Sequence, residues 1–185
     1  ISFCVGGIGM VENKCYDIKV IDNFLNQDEL SRIKDVIFGK NFPWYYSPNI
    51  AYSSDPHKLL ESYFVHMIYD LNIPQSGQYN IISDIFLPKI IKVCGIKSLI
   101  RIKCNLYHAT ENLVEHPPHE DYSYSHLGSV FSLNTCNGFT RFGDSESEIV
   151  HSKENRMVFF NPSITHNSTN TTDAQSRVNI NFNFL

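Results

Sequence analysis

The hydrophobic pattern of this chain changes period once, near residue 98. Ahead of that point apolar positions recur mainly at helical spacing, and beyond it they alternate. In "NQDELSRIKDVIFG" Leu30, Ile33, Val36 and Ile37 fall on one helical face, with Asn26 at the N-cap position and Gly39 after the last turn. That stretch predicts a helix. Two more helices are predicted over about His57 to Asp70 and Ile81 to Val93, the second bent by Pro88 and ended by Gly95. "YDIKVIDNFL", from Tyr16 to Leu25, alternates and is rich in β-branched residues, so it reads as a strand leading into the first helix. "FPWYYSPNIAY" is aromatic and extended, broken by Pro43 and Pro48, and fits either a strand or a substrate-facing loop. Trp44, Tyr45 and Tyr46 within it read as core or strand packing.

From Ser98 onward short alternating runs are separated by turn signals. In "SLIRIKCNLY" Arg101, Lys103, Asn105 and Tyr107 share one face of a strand and Ile100, Ile102, Cys104 and Leu106 the other. "SRVNINFNF" repeats the arrangement, with Arg177, Asn179, Asn181 and Asn183 opposite Val178, Ile180, Phe182 and Phe184. Between them lie "GSVFSLNT", "GFTRFG", "SEIVH" and "RMVFFN", with Asn137-Gly138 as a hairpin signal. The expected architecture is mostly β with α: a sandwich or jelly roll with N-terminal helices packed on one outer face. We expect a single domain over residues 10–185, with helical support over about 22–96 and a strand core over about 98–185. Residues 1–9, ahead of Met10, read as upstream sequence.

Polar faces on two strands have two explanations: a face turned to water, or the wall of a cavity that takes a charged ligand. The histidines bear on this choice. "HPPHEDYSYSH", from His116 to His126, places His119 and Asp121 two residues apart, so on an extended segment both reach the same side while Glu120 points away. "FFNPSITHNS" adds His166 just after an apolar strand. Two histidines and one carboxylate compose the facial triad of non-heme Fe(II) oxygenases, which leaves positions open for chemistry. Structural zinc sites are closed and usually thiolate-rich, and no cysteine is near His119 or His166 in sequence. Arg177 falls on the polar face of the next strand, where a guanidinium can hold a carboxylate bidentately.

Composition narrows the remaining classes. A formal charge of −4 gives no electrostatic reason to expect nucleic acid as partner, and no apolar run approaches the ~20 residues a membrane helix needs. Five cysteines with no C-x-x-C pair read as reduced thiols, hence a cytoplasmic, reducing compartment. His116 reads as a histidine that either backs the ligands from behind or sits at the rim of the site, and His57, His66, His108, His126 and His151 as ordinary surface or satisfied side chains. Asn167-Ser-Thr and Asn170-Thr-Thr match glycosylation acceptors but read as a polar turn, since a glycan there would obstruct the site.

Taken in order, "RIKCNLY", "HPPHED", "FSLNT", "GFTRF", "RMVFFNPSITH" and "RVNINF" resemble the Fe(II)- and 2-oxoglutarate-dependent oxygenases, in particular the prolyl-4-hydroxylase-like branch. The resemblance covers roughly Arg101 to Phe184. It implies a double-stranded β-helix, iron held by His119, Asp121 and His166, and 2-oxoglutarate bound through Arg177 with help from Tyr107. Ser132 and Thr140 are expected to point inward as well. By the same resemblance the cosubstrates are 2-oxoglutarate and O2, with ascorbate as an optional reductant. The reaction is hydroxylation of a peptide or small molecule, peptidyl proline foremost, coupled to decarboxylation of 2-oxoglutarate to succinate. The DNA-alkylation-repair branch carries a second arginine six residues after the first, where this chain has Asn183, which argues against repair of alkylated bases. The alternative is a β-sandwich that binds metal or ligand without turnover.

Overall fold

Asn26 starts the first helix through a capping box: its side chain accepts from the Glu29 N–H while the Glu29 carboxylate accepts from the Asn26 N–H, both at 2.9 Å. A computed structural model describes residues 18–49, 62–143 and 148–185. In chain order these form β1 (Lys19–Asp22), α1 (Gln27–Ile37), β2 (Tyr45–Ser47), β3 (Tyr63–Asp70), β4 (Ile73–Pro74), α2 (Tyr79–Cys94) and β5 (Leu99–His108). They continue with β6 (Leu127–Ser132), β7 (Phe139–Phe142), β8 (Ile149–His151), β9 (Arg156–Phe160), β10 (His166–Ser168) and β11 (Ser176–Phe184). Pro88 lies inside α2 without ending it, and Gly95, at φ 64°, closes the helix in the left-handed conformation that glycine adopts at little cost.

The strands form two antiparallel sheets. The larger runs β1-β9-β6-β11-β5-β3-β2, with β4 attached to β3, and the smaller runs β10-β7-β8. Bridges between Glu115 and Thr169 and between His119 and His166 lengthen the smaller sheet along its β10 edge. Alternation along the large sheet divides its residues cleanly. Ile102 and Cys104 of β5 and Val178, Ile180, Phe182 and Phe184 of β11 join one buried cluster with Leu30, Ile33 and Ile37 of α1 and Ile82, Phe86 and Ile90 of α2. Phe86 anchors it, its ring 4.9 Å from that of Phe131 and 5.0 Å from that of Phe182. Val130, Phe142, Val158 and Phe160 make a second cluster from strands of both sheets. The polar faces of β5 and β11 are left to line a cavity.

Four expectations are corrected. Residues 63–70 are the strand β3 and not a helix; the remainder of that predicted helix, 57–61, lies outside the described residues. Tyr63, Phe64, Met67 and Ile68 imitate helical spacing because β3 carries apolar side chains on both faces, Phe64 beside Leu106 and Tyr63 and Met67 on the cavity side, and a bulge between Met67 and Tyr69 then shifts the alternation against β5. Asn137-Gly138 does not close a hairpin, since β6 and β7 belong to different sheets. The Asn137 amide instead donates to Thr172 Oγ1 at 2.6 Å and its backbone N–H to Asp173 Oδ1 at 2.8 Å. Asn167 and Asn170 are buried rather than in a turn: Asn167 sits within β10 and donates to the His116 carbonyl, and Asn170 accepts from the Val114 N–H. Tyr45 and Tyr46 are exposed on the edge strand β2, whereas Trp44 packs against the main cluster.

Candidate metal centre and its cavity

The backbone brings the two outer ligands of the expected triad together. The His119 N–H donates to the His166 carbonyl and the His166 N–H to the His119 carbonyl, each at 2.9 Å, and the Asp121 N–H donates to the Pro162 carbonyl at 3.0 Å. Residues 119–121 are thus laid along the segment leading into β10, which turns His119 and Asp121 to the same side and leaves Glu120 exposed. One ligand atom from each of His119, Asp121 and His166 lies within 4.8 Å of the other two, a spacing that can hold one metal ion. The two imidazole centroids are 4.6 Å apart.

Protonation states suit that purpose. Burial, together with the neighbouring His166, lowers the His119 pKa to about 4, and burial lowers that of His166. Both rings are neutral at pH 7 and offer a lone pair. His166 Nδ1 sits 3.0 Å from the Ile164 carbonyl, which can only accept, so the proton is on Nδ1 and Nε2 is left for a metal. For Asp121 burial pushes upward, but Arg101 and His166, with a hydrogen bond from Asn183, overbalance it and hold the carboxyl well below its usual range.

Around Asp121 the environment is built from both polar strand faces. Arg101 Nη2 is 2.8 Å from Oδ1, and Asn183 Nδ2 donates to Oδ2 at 2.8 Å. Arg101 and Asn183 are direct cross-strand partners, and Arg101 Nε donates to Asn183 Oδ1 at 3.1 Å. Asn183 Nδ2 also lies 3.1 Å from His126 Nε2, whose other ring nitrogen bonds the Tyr124 carbonyl at 2.9 Å. Of the two expectations for His126 the satisfied one holds: it is buried, both ring nitrogens have partners, and it is tied to Asp121 through Asn183. No motif in the sequence marks these contacts. The signal was the alternating polarity of β5 and β11, which names the faces but not the cross-strand partners.

The open side of the triad faces a cavity of about 270 Å³, whose lining includes Tyr63, Arg101, Lys103, Tyr107, Thr140 and Asn181. A roomier depression of about 430 Å³ next to Phe142 and Phe160 is lined, among the described residues, by one titratable side chain, Glu148, and holds none of the triad. Arg177 is 1% exposed and lies behind Thr140 and Tyr107. Its Nη2 donates to Thr140 Oγ1 at 2.9 Å, Nη1 to the Thr169 carbonyl at 2.9 Å and Nε to Ser152 Oγ at 2.7 Å, and its guanidinium is 5.7 Å from the Tyr107 ring centre. Each of these partners is neutral, and among the described residues no carboxylate pairs with it. Tyr107 is clamped between the rings of Tyr63, at 5.4 Å, and His116, at 5.2 Å. His116 takes the first of its two expected places: it is buried behind the cavity wall and not at the rim, bonded through Nδ1 to Ser168 Oγ at 3.0 Å. Ser132 is buried but does not line the cavity.

No protein-family model and no curated protein matches the sequence. Solved structures do match. An oxidoreductase of the 2OG-Fe(II) oxygenase family from Burkholderia pseudomallei superimposes with a TM-score of 0.66 at 10% identity, over 90% of this chain and 84% of the other. A Trichoplax adhaerens prolyl hydroxylase, in complex with a hypoxia inducible factor peptide fragment, gives 0.65 at 12% identity, over 91% and 83%. The chain has the fold of the 2OG-Fe(II) oxygenases. The 2-oxoglutarate-dependent epimerase SnoN from nogalamycin biosynthesis shares this oxygenase fold, at a TM-score of 0.64 and 10% identity over 92% and 77%. Identities this low carry the architecture alone. Within the oxygenase fold, the donor set of two neutral imidazoles and one ionised carboxylate, with a cavity on its open side, fits a divalent ion such as Fe(II).

Proposed function

We propose that the protein is an Fe(II)- and 2-oxoglutarate-dependent dioxygenase that hydroxylates its substrate while 2-oxoglutarate is decarboxylated to succinate. The observation that carries this reading is the convergence of His119, Asp121 and His166 within 4.8 Å, beside a cavity with an un-neutralised guanidinium behind its wall. Fe(II), when bound by these three side chains, supplies the redox chemistry with O2.

The chain's own groups do the rest. Arg177 takes the distal carboxylate of 2-oxoglutarate, exchanging neutral partners for a charged one, and Thr140 and Tyr107 complete that end of the cavity. Arg101 and Asn183 hold the Asp121 carboxylate in one orientation. Burial keeps both imidazoles unprotonated. The substrate class is open to two kinds of support: the Trichoplax neighbour is in complex with a peptide, as a peptidyl residue such as proline would require, while SnoN belongs to the biosynthesis of a small molecule.

The test is succinate formation from 2-oxoglutarate in air, with Fe(II) added and no other substrate. Wild-type protein should form succinate slowly, and His119→Ala and Asp121→Ala should form none. Metal bound at one equivalent without any succinate would make the protein a binding module instead.

A further inference from the structure

Lys103 occupies the β5 position next to Arg101 on the cavity wall, with Asn181 as its cross-strand partner. Its Nζ lies 5.9 Å from the Tyr63 ring centre, and among the described residues no carboxylate is within ion-pairing distance of it. Of the acids that line the cavity with it, Asp121 is already engaged by Arg101 and Asn183, and Glu120 is exposed. Burial, with Arg101 as a second cation, pulls the Lys103 pKa down to about 8, as befits an ammonium without a counter-ion. An ammonium held in a protein wall without an anion is costly, and a neutral side chain of the same length would avoid the cost.

The charges of the loaded site leave this group over. Arg101 is matched by Asp121. On the reading given above, one carboxylate of 2-oxoglutarate goes to the metal and the other to Arg177. Lys103 then remains as a cation on the wall beside the triad, directed into the space a substrate would fill.

We propose that Lys103 selects the substrate, binding a carboxylate carried close to the carbon that reacts, so that the protein acts on a free organic or amino acid or on an acidic side chain. The inference rests on the oxygenase reading and deepens it. Lys103 and Tyr63 together form the recognising wall: the ammonium pairs with the acid, and the ring beneath it keeps the ammonium in place.

The test uses the full chain loaded with Zn(II) and 2-oxoglutarate, a complex that does not turn over. Calorimetric titration compares free L-amino acids with their α-amides, and acetylated tripeptide amides centred on Asp or Glu with the Asn or Gln equivalents. The first arm reports a free acid and the second an acidic side chain. At least one acid should bind about tenfold or more tightly than its amide, the ratio expected of a charge-assisted contact. Lys103→Met should remove most of that preference while changing 2-oxoglutarate affinity less. No acid preference in the wild type, or a preference that survives in Lys103→Met, would overturn the proposal. So would a fall in 2-oxoglutarate affinity as large as that for the acid, which would put Lys103 on the cosubstrate. Failure of Zn(II) or 2-oxoglutarate to load overturns the oxygenase reading and this one together, whereas normal loading without acid preference overturns this one alone.

Discussion

His119 and His166 exchange both hydrogen bonds of an antiparallel bridge, 2.9 Å in each direction, so the two imidazoles are set by sheet closure and not by a flexible loop. Metal binding and folding should therefore be linked, because an ion held by the proposed triad would join a segment at residue 119 to the start of β10. At a free metal concentration about 100-fold above Kd, a ligand that binds only the native state adds about 2.7 kcal/mol. For a chain of this size that corresponds to a rise in Tm of roughly 5–10 °C. Thermal unfolding with and without Zn(II) or Mn(II) should show the rise in wild type and none in His119→Ala.

Asn183 is the side chain that decides how Asp121 points. It donates to Asp121 Oδ2, accepts from Arg101 Nε and contacts His126 Nε2, and it is 1% exposed. Removing a group that orients a metal ligand typically weakens metal affinity by about 10- to 100-fold. Asn183→Ala should show that loss for Zn(II) in a competitive chelator titration. A variant that melts earlier yet binds Zn(II) as tightly as wild type would assign Asn183 a packing role only.

The far end of the cavity depends on a glycine as well as on Arg177. A Cβ at Gly138 would lie 2.5 Å from the Asn170 carbonyl oxygen and 2.7 Å from Arg177 Cδ, so the loop before β7 approaches the guanidinium as closely as only a hydrogen side chain permits. Arg177→Ala should raise the 2-oxoglutarate concentration needed for half-maximal succinate formation by about 10- to 100-fold, the equivalent of ~1.5–3 kcal/mol. Gly138→Ala should raise it too, without touching the ligand, by displacing Arg177. An unchanged requirement in Arg177→Ala would leave the arginine with a structural role.

What could be read from the sequence was whatever depends on spacing along one segment. The H-x-D pair at His119 and Asp121, the cap at Asn26, the stop at Gly95 and the polar faces of β5 and β11 all have a local signature. Contacts across strands do not. That Arg101 meets Asn183, and that Asn183 in turn joins Asp121 to His126, follows from the register of β11 against β5, which no single segment encodes. Residues 63–70 differ for another reason: apolar side chains on both faces of β3, followed by a bulge at Ile68, leave no clean alternation to mark a strand. For His116 the sequence excludes an H-x-D pair, since Pro118 stands two residues on, but the choice between rim and interior is settled by tertiary packing, which draws its ring inward to stack on Tyr107.

That inward position makes His116 a source of acid sensitivity in the metal-free protein. Burial, with Arg177 and His119 as neighbouring positive or protonatable groups, lowers its pKa from 6.5 to about 3. Between those values the unfolded chain takes up a proton on this histidine and the folded chain does not. Stability therefore rises with pH through that window, by about 1.4 kcal/mol per pH unit for one such group, and is independent of His116 above it. His119, lowered to about 4, adds a slope of the same sign between about 4 and 6.5. Urea unfolding of chelator-treated protein between about pH 4.5 and pH 6 should show the combined slope. His116→Phe keeps an aromatic ring against Tyr107 but loses the bond to Ser168 and the titrating nitrogen. It should flatten the slope by about one proton, ~1.4 kcal/mol per pH unit. A slope as steep in the variant as in wild type would mean that His116 takes up its proton without opposing the fold.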